Sequence, residues 1–391
     1  MQSSNPNTAA LSSQSAAKSA AVNTAEVAVI GGGIVGLAIA LGLTRNGHQV
    51  VVLDESDIAL RASQGNFGLV WVQGKGDTLP EYAAISRQSA RLWRSLADQL
   101  LDSTGIDIQL QQKGGLFFCM TEQELNARQQ MLQQMQQAAG GDYPFQVLDL
   151  KQVQELEPEA GPEVAGATLG PEDGHVNPLL FYRAMTEQFL QSGGRIVHSG
   201  KTTDIKPLNQ GFTVTCHDKG LDQKWHCDKV VLTAGLGNKE LAPMVGLHAP
   251  VEPNLGQVLI SERLKPFLNY PTGHVRQTNE GTIQIGDSKE DVGFITDTRI
   301  EVLAQIANRA RKMYPILNKV RLVRTWGALR VMTPDGYPIY QESTRHPGAY
   351  VVTCHSGVTL GALHQGPIAD WISQNTTELP LEAFNGQRFN G

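Results

Sequence analysis

Residues 26–56 read EVAVIGGGIVGLAIALGLTRNGHQVVVLDES. Val27 to Ile30 is a short apolar run that predicts a strand. Gly31-x-Gly33-x-x-Gly36 follows at once, and Ile34 to Leu43 continues as an apolar stretch of helical length. Asn46-Gly47 suits the left-handed residue that closes a helix. Gln49 to Leu53 predicts a second buried strand, ending at Asp54. Each part has a mechanical role. Gly31 permits a tight turn, Gly33 lets the backbone approach a pyrophosphate, and Gly36 lets helix and strand pack closely. The helix N-terminus at Ile34 and Val35 stabilises phosphate charge. Asp54 lies eighteen residues after Gly36, about where a carboxylate meets ribose hydroxyls, with Glu55 beside it. The whole unit implies a bound dinucleotide; the alternative is a glycine-rich turn without function. By itself it does not separate NAD from FAD.

The 391 residues are too many for one small core and suggest two or so domains. A net charge of −6, with no Lys/Arg-rich block, argues against a nucleic-acid partner. Cys119, Cys216, Cys227 and Cys354 are scattered, without CxxC or metal-ligand spacing. No metal site is expected, and the cysteines read as reduced thiols of a cytoplasmic protein. Residues 1–25 are rich in Ser, Ala, Gln and Asn and lack the apolar core of a signal peptide, so a disordered tail is expected. No apolar run reaches transmembrane length. The expectation is a soluble chain, or one held at a membrane only through partners.

Further motifs follow in order: RASQGNFGLVW (61–71), DGHVNPLLFYRAM (173–185), KVVLTAGLGNKELAPMVGL (229–247), WGALRVMTPDGYPIY (326–340) and YVVTCHSGVTLGALHQGPIADWI (350–372). With the first unit they resemble the FAD-dependent amine and amino-acid oxidoreductases of the D-amino-acid oxidase superfamily, especially the glycine oxidase family, from about Glu26 to the C-terminus. GNFGLVWVQGKG (65–76) also looks like the flavin-subunit families of hydrogen cyanide synthase and of opine oxidase, the latter its B subunit. The resemblance implies FAD; no Cys or His stands out as an attachment point, so a non-covalent cofactor is expected. Its contacts would include Ser63, Gln64, Phe67, Gly68, Leu69, Thr202, Ala234, Gly235, Gly357, Val358, Thr359 and Leu360. Backbone N–H groups from Gly357 to Leu360, where a strand gives way to a helix, would stabilise negative charge on the reduced flavin. The alternative is that Gly357 only caps a loop.

Arg330 sits between Leu329 and Val331 in a run that reads as a buried strand entering a turn at Pro334 and Gly336. A charge held there needs a partner. The resemblance implies that Arg330 grips a substrate carboxylate with two parallel bonds, orienting the Cα–H toward the flavin N5. The alternative is an internal ion pair, with Asp335 and Glu342 as the candidate partners. Val331 stands where the family usually has Pro. His274 falls where glycine oxidase has a pocket tyrosine; it would donate to a carboxylate or accept an ammonium proton near neutrality, unless it is structural. Tyr270 and Arg276 are nearby substitutes, and His355 either lines the flavin or has no role.

The fold class expected is α/β: a discontinuous Rossmann-type FAD-binding domain over 25–100, 160–243 and 325–391, and an α+β substrate domain over 101–159 and 244–324 built on an antiparallel sheet. Gly114–Met120 and Thr282–Gly286 are strand candidates for that sheet, and Glu122–Ala139 an amphipathic helix with Leu125, Met131, Leu132 and Met135 on one side. The expected activity is oxidation of the C–N bond of a small amino acid or secondary amine bearing a carboxylate (glycine, a D-amino acid, an N-alkyl amino acid or an opine), by hydride transfer to N5 and imine hydrolysis. One alternative is the flavin subunit of a heteromeric dehydrogenase that passes electrons to partner subunits, as against a homo-oligomer. Another is a non-catalytic FAD-binding subunit, and an NAD-linked dehydrogenase is more distant.

Overall fold

The computed structural model describes residues 23–55, 62–198 and 200–389. Most of the expected N-terminal tail, 1–22, and Arg61 lie outside the described residues. Residues 23–25 do not belong to a tail: the first strand is Asn23–Ile30. It begins earlier than Val27 because Asn23, Thr24 and Ala25 pair with Trp225, His226 and Cys227. That contact is between segments two hundred residues apart and leaves no local trace.

The largest sheet has eight strands. Five are parallel neighbours: Arg195–His198, Val50–Asp54, Asn23–Ile30, Leu221–Leu232 and Ala349–Thr353, in that spatial order. Ile339–Glu342 adds an antiparallel edge, and Phe212–Asp218 with Lys201–Pro207 forms an antiparallel flap on Leu221–Leu232. The Val-rich strands are buried on both faces, as parallel strands covered by helices must be. The helix Ile34–Arg45 is apolar on all sides, and nine of its twelve residues are buried. It packs against Pro178–Gln191 and the C-terminal helical run.

Two larger antiparallel sheets, and a two-stranded pairing of Leu69–Val70 with Gly174–His175, stand beside this one. Val275–Gln277, Thr282–Ile285, Glu252–Arg263 and Leu322–Met332 make four strands in that order. Gly115–Cys119, Gly166–Gly170 and Gln146–Asp149 make three. The two strands expected to share one sheet thus lie in separate sheets, joined by a single bridge between Leu116 and Thr272. Residues 325–332, grouped by sequence with the cofactor domain, hydrogen-bond into the four-stranded sheet beside Glu252–Arg263. Residues 166–170 likewise pair outside the parallel sheet. The Gln-rich helix is Glu122–Ala138, capped by the Thr121 side chain, and it buries Leu125, Leu132 and Met135.

Candidate active site

A cavity of about 540 Å3 crosses the carboxyl ends of the five parallel strands. Its walls follow the strand order: Gly200–Thr202, Asp54 and Glu55, Gly31–Val35, Thr233–Gly237, then Cys354, His355, Gly357 and Val358. Four inter-strand steps span about 19 Å, room for an elongated ligand where open α/β sheets bind theirs. Of the sequence-derived contacts, Gly31, Gly33, Ile34, Val35, Asp54, Glu55, Ser63, Gln64, Thr202, Ala234, Gly235, Gly357 and Val358 line it. Tyr182, Lys201, Glu240, Phe294, Thr296, Leu329 and Val331 also line it; of these, Lys201, Phe294 and Thr296 lie in none of the motifs, and the other four lie within motifs without having been singled out as contacts.

The first loop is shaped by glycine. Gly31 has φ +101°, and a Cβ there would stand 2.7 Å from the Thr233 carbonyl oxygen. A Cβ on Gly33 would meet Ser63 Oγ at 2.9 Å. Gly36 does not line the cavity; its missing side chain leaves room for the Gly31 oxygen, which a Cβ would approach to 2.0 Å. Ser63 Oγ accepts from the Ile34 N–H at 2.9 Å, and Asp54 Oδ2 accepts from the Gly32 N–H at 2.7 Å. No acidic side chain stands in the helix's first turn. Among the described residues, the N–H groups of Gly33 and Val35 have no protein acceptor, and neither do those of Gly357, Val358 and Thr359. Two clusters of orphaned amides, one at each part of an elongated cleft, fit an anionic pyrophosphate and an electron-rich ring system. The donor set therefore fits FAD.

Other expected contacts hold the walls. Leu360 does not offer its N–H, which donates to the Ser356 carbonyl at 3.0 Å, and its side chain is fully buried in the core. The backbone over 357–360 is a turn, and helical structure starts only at Gly361. Thr359 Oγ1 bonds the 69–71 segment, while its carbonyl accepts from Ser89 and Trp93. Leu69 pairs with His175. Gly68 has φ +84° and sits tightly against the Val176 carbonyl. Phe67 turns its ring toward Gly286, where a Cβ would lie 3.2 Å away.

Arg330 does not line the cavity, although Leu329 and Val331 do. The strand puts successive side chains on opposite faces. Nη2 is ion-paired with Asp287, and Nη1 donates to the Ser288 carbonyl at 2.8 Å and to Asn254 Oδ1 at 3.0 Å. The internal ion pair is therefore with neither Asp335 nor Glu342. Asp335 binds Arg388, and Glu342 accepts from the Gly348 N–H. Asp287 follows directly on the strand Thr282–Ile285 and Gly286, and sequence reading missed it because nothing local marks it. Gly256 makes room for this guanidinium: a Cβ there would stand 2.5 Å from Nη2.

His274 lies outside the cavity wall, its ring edge-on to Phe117 at 5.6 Å between centroids. Burial, with Arg309 and Arg128 nearby, holds its pKa well below the usual imidazole value, so it is neutral at pH 7 and does not titrate near neutrality. Its Nδ1 is buried without a partner among the described residues. Arg276 is 2% exposed and bound by Gln284 Oε1, His175 Nδ1 and the Val176 carbonyl, so it clamps the fold. Tyr270 lines a separate cavity with Gln111 and His175. His355 does line the main cavity, and Ser356 Oγ lies 3.1 Å from its Nε2.

The comparisons agree with this geometry. The B subunit of opine oxidase from Agrobacterium tumefaciens (strain Ach5) is 41% identical over 93% of this chain and 98% of its own length. Hydrogen cyanide synthase subunit HcnC of Pseudomonas aeruginosa is 23% identical over 94% of this chain and 96% of its own length. The crystal structure of glycine oxidase from Geobacillus kaustophilus superposes with a TM-score of 0.87 at 24% identity, covering 95% of this chain and 100% of the other. The model of the family described as FAD dependent oxidoreductase matches residues 26–371. With a cleft whose amides fit the cofactor and a match over nearly all the chain, the protein belongs to that family and is an FAD-dependent oxidoreductase.

Proposed function

We propose that this chain is the flavin-bearing subunit of a heteromeric enzyme that oxidises the C–N bond of a carboxylate-bearing secondary amine of the opine type. The observation that carries this reading is the 41% identity to an opine oxidase B subunit across almost the full length of both chains. When bound, FAD supplies the acceptor for the hydride, and with it the two electrons, that leaves the substrate carbon. The protein's part is to hold the amine, orient it and keep charges balanced around it. Arg330 does not line the cleft, but its charge acts on His355 in the cleft wall, and it is the cation for the substrate carboxylate once Asp287 gives way. His274 is neutral and has an unpartnered Nδ1, so it serves the substrate as a hydrogen-bond partner. The four cysteines are all free and buried, in keeping with a cytoplasmic location.

An anaerobic screen of the purified protein tests this reading. Opines should bleach the flavin faster than glycine, sarcosine, D-amino acids or proline. Reduction of an added dye with negligible peroxide in air would fit delivery of electrons to partner subunits. A flavin that none of these amines bleaches would favour a subunit that holds FAD for assembly only.

A further inference from the structure

The ion pair between Arg330 and Asp287 is built from two charges that do not need each other to stay in place. Arg330 Nη1 is held by the Ser288 carbonyl and by Asn254 Oδ1, and Asn254 is itself fixed through its Nδ2 to Asp291 Oδ1 at 2.7 Å. The turn that carries Asp287 is pinned independently. Leu255 and Glu290 exchange both backbone bonds, and the Gln257 N–H donates to Ser288 Oγ at 2.9 Å. Ser288 Oγ in turn donates to Glu290 Oε1. The pair is also open to solvent, with the two side chains 23% and 37% exposed.

Exchanging one carboxylate for another on Arg330 replaces like with like and is close to neutral. What is costly is leaving either charge alone in a half-buried site. A ligand with a carboxylate only would strand Asp287, and one with an amine only would strand Arg330. An amino acid carries both charges on neighbouring atoms and leaves neither unmatched.

We propose that Asp287 and Arg330 form an exchangeable pair which an amino-acid zwitterion replaces on binding: the substrate carboxylate takes the place of Asp287 on Arg330, and the substrate ammonium takes the place of Arg330 on Asp287. Asp287 is then a specificity-determining residue that selects against simple acids and simple amines. The inference rests on the amino-acid reading of the site given above. No covalent step is involved; only ion pairs change hands.

The test uses the FAD-loaded full-length protein and probes that the enzyme cannot oxidise at the α-carbon. 2-Aminoisobutyrate carries both charges and no Cα–H; 2-methylpropanoate carries only the carboxylate, and tert-butylamine carries only the ammonium, on a carbon without hydrogen. Binding is read from the perturbation of the flavin's visible spectrum. The wild-type protein should prefer 2-aminoisobutyrate over either single-charge probe by about tenfold or more, as expected for a charged hydrogen bond made or lost. Asp287→Asn should tighten 2-methylpropanoate and reduce that preference to within about threefold. Arg330→Gln should do the mirror image, tightening tert-butylamine; it decides the matter if the first variant does not fold. Preferences unchanged in either folded variant, a wild-type protein that binds 2-methylpropanoate as tightly as 2-aminoisobutyrate, or no binding of 2-aminoisobutyrate would each overturn the exchange. The two readings fail separately. A flavin that no amine bleaches, in a protein that still shows the shifts in preference, overturns the oxidation alone; bleaching by opines with unchanged preferences overturns the exchange alone.

Discussion

The ammonium of Lys75 stands 2.5 Å from the hydroxyl of Ser356, one residue before Gly357 in the cavity wall. Tyr82 donates to the same oxygen at 2.9 Å. A serine hydroxyl has two lone pairs and one hydrogen, so with two donors on its oxygen its own hydrogen is left for His355 Nε2, 3.1 Å away. The chain of donors makes His355 Nε2 an acceptor, and burial keeps the ring neutral. Burial lowers the Lys75 pKa from 10.5 to about 8, with Cys354 and Asp173 opposing the shift, and it lowers that of His355 to about 3.

The Lys75 shift has a stability consequence with a definite sign. Below about pH 8 the folded and unfolded chains both carry the ammonium, and the cost of burying it is constant. Between about 8 and 10.5 the unfolded chain keeps a proton that the folded chain has released, so stability rises with pH. Urea unfolding of the wild type and Lys75→Met should show the wild type gaining on the variant across that window. Curves that stay parallel there would contradict an enclosed ammonium.

Gly36→Ala should loosen the cofactor and the fold together. The added methyl would fall 2.0 Å from the Gly31 oxygen and 2.6 Å from Thr233 Oγ1, which itself bonds the Ile30 and Gly31 carbonyls. Overpacking of this kind costs about 1–3 kcal/mol. FAD should be lost on gel filtration and the thermal midpoint should fall. Gly366→Ala, where nothing lies within 4 Å, should be tolerated in both measurements.

Gly256→Ala separates substrate binding from cofactor binding. Its methyl would displace the Arg330 guanidinium, which crosses the strand within 2.5–2.8 Å of that position. With Arg330 as the carboxylate anchor, kcat/KM for an amino-acid substrate should fall by about tenfold or more, with the FAD-to-protein ratio unchanged. Unaltered kcat/KM would remove Arg330 from that role.

The cofactor half of the site was legible because its signals are local. Gly31, Gly33, the helix from Ile34 and the acid at Asp54 lie within one strand–helix–strand unit, and their spacing carries the geometry. Gly357 and Val358 were reached through resemblance. The rest depends on contacts distant in sequence. Asp287 meets Arg330 across forty-three residues, through the middle strand Glu252–Arg263. Lys75 meets Ser356 across 281. Leu360 was misjudged for a local reason: its N–H closes a turn onto Ser356 before the helix begins. No propensity or periodicity reports on such pairings.

The most direct test of the central claim is anaerobic mixing of the purified, FAD-loaded protein with an opine while the flavin's visible band is followed. Loss of that band is expected, with the corresponding keto acid and free amino acid as products after imine hydrolysis. A band that persists at saturating opine and with every other carboxylate-bearing amine tried would contradict it.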